Sequence, residues 1–236
     1  TTYIDTYPAG IIFISIFVLL SVAGAIATRR ISNTNKLIAH HEVIGYFFPV
    51  AGSIYGILLG LVVFNSITIF NDAISTVNDE TSDLISIYSL SNNIDTEIMK
   101  SIRNDSKSYA DSVISNEWSA MDSGHNDPTS KAYAMKIFDD ITRSSKKGDP
   151  IALKMLDTAD DMLRKRRTRI ELASRQIPTI EWLSLCLGGV FIIALSYMFV
   201  VDSMKIQLLA VTSITTMISL NLFLVICFGK PFSGDL

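Results

Sequence analysis

Residues 43 to 70 read VIGYFFPVAGSIYGILLGLVVFNSITIF, without one Lys, Arg, Asp or Glu. A helix needs roughly 20 residues to cross a bilayer's hydrocarbon core. Soluble helices seldom run that far without charge, so this stretch predicts a membrane span. Three more charge-free stretches, residues 9–28, 182–201 and 206–228, predict three further spans. The composition alone is unremarkable, with 236 residues, 49% hydrophobic and 18% charged. The information lies in how the charge is distributed. The expected fold is an all-α membrane protein with four transmembrane helices and a helical soluble domain inserted between spans two and three. Residues 1–70 hold helices one and two, 71–178 the soluble domain, and 179–236 helices three and four.

Ala25-Ile26-Ala27 resembles a signal-peptide cleavage site. The preceding residues hold no Lys or Arg and carry Asp5, so a retained span is expected. Both cysteines, Cys186 and Cys227, fall inside spans and are expected to behave as small apolar residues. A net charge of −3 points to no nucleic-acid partner. Six basic residues (Arg164, Lys165, Arg166, Arg167, Arg169, Arg175) precede span three, and Lys230 follows span four. Arg29, Arg30, Lys36 and Lys205 lie on the other side. The positive-inside rule then favours a cytoplasmic domain.

Span two is expected to continue as a helix through Lys107, with Phe70, Ile74, Val77, Thr81, Leu84 and Tyr88 as its packing seam. A further helical stretch is expected over residues 109–121. Asp127-Pro128 and Asp149-Pro150 each pair an N-cap carboxylate with a proline at the first helical position. They predict helices over residues 128–145 and 150–176. The second carries an apolar stripe of Ala152, Met155, Ala159, Leu163, Ile170, Ala173 and Ile177. Residues 71–99 hold six acids and no base, whereas 164–175 hold six bases and one acid. The two segments leave and re-enter the membrane. One reading pairs them through exposed ion bridges, each worth under about 1 kcal/mol. The other gives Arg164, Arg166, Arg167 and Arg169 anionic lipid headgroups.

Gly52, Gly56 and Gly60 share one face of span two and permit close helix approach, either within the chain or as an assembly interface. The opposite face carries Ile54, Leu58, Leu61, Asn65, Thr68, Asp72 and Asp79. It grades from apolar to amide, hydroxyl and carboxylate. In a ring of subunits it would line a pore with an apolar constriction and an acidic vestibule that favours cations. Alternatively, Asn65 bonds a neighbouring helix and the aspartates pair with the arginine helix. Thr212, Thr215, Thr216 and Ser219 stripe span four, where hydroxyls usually bond a neighbouring helix or their own backbone.

Several short motifs carry a resemblance. They are Tyr55-Gly56 leading to Asn78-Asp79-Glu80, Leu84 and Tyr88; Tyr109 and Glu117-Trp118 with Met121; Arg166-Arg167-Thr168-Arg169-Ile170; Ile177-Pro178 and Trp182; and Pro231-Phe232-Ser233-Gly234. The chain resembles the bacterial bestrophin-like domain family over nearly its whole length. The resemblance implies four spans with a domain between spans two and three, and it suggests ion conduction. Bestrophins proper are pentameric channels lined by the second span, with apolar rings in the neck. By that resemblance, Ile54, Leu58 and Leu61 would form such rings. The acidic calcium clasp of animal bestrophins has no counterpart here.

Enzyme chemistry finds no foothold. His40-His41-Glu42 lacks a third ligand, and HExxH, P-loop and GxSxG motifs are absent. Asp139-Asp140 and Asp160-Asp161 read as solvated doublets. No cofactor or metal is expected. The expected partners are the lipid bilayer, inorganic ions and further copies of the chain, five in all if it is bestrophin-like. Two functions stay open: an oligomeric bestrophin-like ion channel, or a non-conducting membrane scaffold or signalling protein whose helical domain docks a partner.

Overall fold

The computed structural model describes residues 6–31, 41–122, 127–145, 148–175, 177–201, 203–229 and 231–232, without the side chains of His41 and Asp122. Lys36, His40, His125, Lys146, Lys147, Lys230, Ser233 and Gly234-Asp235 lie outside the described residues. Among the described residues the regular structure is all helical. The order is α1 (Thr6–Ile31), α2 (His41–Leu90), a 3-10 turn (Ser91–Asn93), α3 (Thr96–Ser112), a π-turn (Val113–Glu117), α4 (Trp118–Asp122), α5 (Pro128–Ser145), α6 (Pro150–Ser174), α7 (Thr179–Met198) and α8 (Met204–Phe228). The helices α1, α2, α7 and α8 are each long and apolar enough to cross a membrane.

The chain forms two compact units. The first holds α1, α2 as far as Thr68, α7 and α8. Its core gathers Tyr55, Leu59 and Val62 from α2, Leu185 and Ile192 from α7, and Ile218, Leu222 and Val225 from α8. Close approach rests on glycines outside the span-two motif. A Cβ on Gly188 would stand 2.6 Å from the Tyr55 ring. One on Gly10 would stand 2.6 Å from the ring of Phe223. Tyr55 donates to the carbonyl of Leu185 at 3.1 Å, which anchors α2 on α7. Ser21 accepts from Tyr197 at 3.1 Å and from Thr215 at 2.7 Å, so one hydroxyl ties α1 to α7 and α8. Thr215 thus serves helix packing, and Ser219 bonds back to the carbonyl of Thr215.

The second unit runs from Ile69 to Arg175. Its core is Ile87, Ile102, Tyr109, Ala134, Ile137, Ile141, Met155, Ala159, Met162 and Leu163. The helix expected to continue through Lys107 stops instead at Leu90. Ser91 donates to the carbonyl of Tyr88 at 2.7 Å and Asn93 to that of Leu90 at 3.4 Å. Side chains that bond nearby carbonyls compete with the helical ladder. Ile94 is extended, and Asp95 restarts the chain by capping α3 through the N–H of Glu97 at 3.0 Å. The expected stretch at 109–121 proves to be the end of α3, the π-turn and α4. Both Asp-Pro starts lie where the sequence puts them. Asp127 accepts from the N–H of Thr129 at 3.1 Å, and Asp149 from that of Ile151 at 2.9 Å.

Two packing seams differ from expectation. On α2 the buried line is Ala73, Thr76, Glu80 and Ile87, one residue round from the expected apolar heptads, and Ile74 is exposed. On α6 the buried line begins as expected with Ala152, Met155, Ala159 and Leu163. It then continues through Arg166, Arg169 and Leu172 rather than Ile170 and Ala173. In both cases a paired charge, Glu80 or Arg169, occupies the core position beside the expected seam residue, Thr81 or Ile170. Asp140 also departs from expectation: it is buried and bonded to Arg143.

Candidate pore face and buried ionic core

Within the first unit, α2 presses one narrow stripe, Tyr55, Leu59, Val62 and Ser66, against its own chain. The faces on either side of that stripe are uncovered. A Cβ on Gly52, Gly56 or Gly60 would meet nothing within 4 Å. On the other flank Ile54, Leu58 and Leu61 are 67%, 39% and 64% exposed. Asn65 and Thr68 follow them and are exposed too. Thr68 turns its hydroxyl to the carbonyl of Phe64 at 3.0 Å, so it presents its methyl and oxygen at the surface.

In the second unit, Asp72 is exposed. Asp79 is half-exposed and accepts from the Lys165 ammonium at 2.5 Å. That hydrogen bond to Asp79 outweighs desolvation and lifts the Lys165 pKa above its ordinary value.

Beside this surface pair lies a cluster that the sequence reading did not assemble. Arg169 of α6 donates from Nε to Glu80 Oε2 at 2.7 Å and from Nη2 to Glu80 Oε1 at 3.1 Å. Nη2 also reaches Glu117 Oε2 at 2.8 Å, and Nη1 faces Met121 Sδ at 3.3 Å. Arg166 bonds the second oxygen of Glu117, and Tyr109 donates to Glu80. Two arginines and two glutamates balance in charge, and all four are buried. Burial opposes the charge on Arg169, but the bonds and field of Glu80, then the bond to Glu117, hold its pKa above the ordinary value. Burial and the Glu80 carboxylate push the Tyr109 hydroxyl up, so it stays protonated as a donor.

The four arginines expected to act together therefore separate. Arg166 and Arg169 are core residues. Arg164 is exposed and bonds Asp160 and Asp161 on its own helix, and Arg167 is exposed. Among the described residues the acidic and basic segments meet at the surface through Lys165 and Asp79, and inside through the buried Arg169 and Glu80. The physical reason is that a guanidinium matched to two carboxylates can satisfy its donors without water. The π-turn, which widens the helix by one residue, belongs to the same segment as Glu117. Glu80, Tyr109, Glu117, Met121, Arg166 and Arg169 all come from the short motifs that carry the family resemblance. Those scattered motifs were the available signal for the cluster. Among the described residues no group of three or more His, Cys, Asp or Glu could hold a metal ion.

The Bestrophin-like domain family matches residues 15–236. Among solved structures, a bacterial bestrophin homolog from Klebsiella pneumoniae, crystallised as a point mutant, matches with a TM-score of 0.68. The identity is 17%, over 96% of this chain and 91% of that one, which shows a shared fold. No curated protein matches. The four apolar helices and the family match make this an integral membrane protein. Fold, spans and family match lead to one conclusion: the chain belongs to the bestrophin-like family.

Proposed function

We propose that the protein is an oligomeric ion channel of bestrophin type in which α2 lines the conduction path. Family membership and fold support a bestrophin-type channel in general terms. The observation that carries the finer reading is the uncovered flank of α2. Ile54, Leu58 and Leu61 are exposed there, yet Asn65 and Thr68 continue the same row. A face turned to lipid has no use for an amide, whereas a face turned to a water-filled path does. The glycine face of Gly52, Gly56 and Gly60, equally uncovered, would receive the neighbouring copy. In this reading the assembly is a homo-oligomer, a pentamer as in bestrophins. The three apolar residues form the constriction, and the acidic row that holds Asp72 and Asp79 biases the path toward cations. Residues 71–178 form a soluble domain on the cytoplasmic side of a bacterial inner membrane.

The test is conduction by purified protein in planar bilayers, alongside its mass by light scattering in detergent. Discrete currents from an oligomer, altered in unit conductance by Leu58→Ala, are expected. An intact oligomer that carries no current would reject the channel and move the case to a membrane scaffold.

A further inference from the structure

The acidic row on α2 is not equally acidic along its length. Lys165 Nζ stands 2.5 Å from Asp79 Oδ2, and the two side chains are 40% and 48% exposed. Both groups therefore face solvent and each other. Asp83, one turn on from Asp79, and Asp161, one turn before Lys165, add their fields to the same ammonium. Two other cations of α6 are engaged elsewhere. Arg164 bonds Asp160 and Asp161, and Arg169 bonds Glu80 and Glu117. Asp72, two turns before Asp79, is exposed, and among the described residues no ion pair includes it.

We infer that Lys165 is a selectivity-determining residue of the proposed conduction path. Its ammonium cancels the Asp79 carboxylate, whereas Asp72 on the same row stays uncompensated. This inference rests on the channel reading above. In a ring, each charge recurs once per subunit, and the summed field concentrates ions of opposite sign at the mouth. Cancelling one carboxylate per subunit tunes the strength of that field. A lysine suits the task because its charge sits on a flexible stem at a half-exposed position. A pair this exposed contributes little to stability, so its effect should appear in selectivity rather than in folding.

The experiment is reversal potential under a KCl gradient for the full-length oligomer in planar bilayers, with Lys165→Gln, Asp79→Asn, the double variant and Asp72→Asn. Lys165→Gln should raise the potassium-to-chloride permeability ratio about two- to fivefold, and high salt should weaken the effect. Asp79→Asn, which leaves the ammonium uncancelled, should lower the ratio by a similar factor. The double variant should return near wild type, the signature of two coupled charges. Lys165→Arg should keep the wild-type ratio, which separates loss of charge from disturbed packing. If Lys165→Gln and Asp79→Asn leave the ratio unchanged while Asp72→Asn lowers it, the channel reading stands and this inference falls. A change in melting temperature with no change in ratio would reduce Lys165 to a tie between α2 and α6 and equally overturn it. An intact oligomer without current would overturn the channel and this inference together.

Discussion

Arg169 donates to Glu117 at 2.8 Å although the two residues lie 52 positions apart and both are closed to solvent. The bond joins α6 to the π-turn, and through Glu80 the same guanidinium reaches α2. Removing one member leaves an uncompensated charge in the core. Glu117→Ala should therefore destabilise the second unit by about 3–5 kcal/mol. The measurement is chemical denaturation of purified protein followed by far-UV circular dichroism. A loss below about 1 kcal/mol, the scale of an exposed pair, would refute the buried network.

Asp127 caps α5 with its side chain and also accepts from the hydroxyls of Ser112 and Ser130. Burial works to raise its pKa, but the bonds from Thr129 and Ser130 outweigh it and hold the value below the ordinary carboxylate range. The folded value is the depressed one, so the stabilisation is present above the unfolded pKa of about 3.9 and is lost as pH falls through the folded value. Asp127→Ala should cost about 1 kcal/mol at neutral pH. That deficit should shrink below about pH 4. A deficit that stays constant into acid would separate the loss from the carboxylate's charge.

Two glycines in the spans should respond oppositely to enlargement. A Cβ at Gly188 would meet the Tyr55 ring at 2.6 Å, whereas one at Gly56 meets nothing within 4 Å. Gly188→Val should destabilise the fold of a single subunit by about 1–3 kcal/mol, the usual range for overpacking. Gly56→Leu should leave the subunit folded but weaken the proposed assembly. Thermal melting in detergent, paired with light scattering, separates the two outcomes. Unchanged oligomer mass in Gly56→Leu would remove the glycine face from the interface.

Asp72 is the exposed carboxylate of the α2 row, and Lys165 does not reach it in the way it reaches Asp79. Asp72→Asn should lower cation preference, most clearly at low ionic strength, where the Debye length is longer. The check is reversal potential at two salt concentrations. Anion selectivity in the wild type would reject the acidic row as a selectivity element.

The helices themselves were legible because their causes are local. A charge-free run such as residues 43–70 is apolar wherever the chain goes, and Asp127-Pro128 and Asp149-Pro150 cap the segments they begin. The short motifs likewise pointed to the family without any knowledge of contacts. The break after Leu90 was less visible, because Ser91 and Asn93 end the helix through hydrogen bonds whose geometry forms only on folding. The core positions of Glu80, Arg166 and Arg169 were hidden for a stronger reason. Periodicity looks for apolar side chains, and an isolated arginine or glutamate is costly to bury. Only when Glu80, Glu117, Arg166 and Arg169 converge from α2, the π-turn and α6 do their charges cancel, and that convergence belongs to the tertiary structure. The same holds for the glycines: GxxxGxxxG shows that a close approach is possible, but packing decided that Tyr55 lies on Gly188 and Gly189 while Gly52, Gly56 and Gly60 stay uncovered.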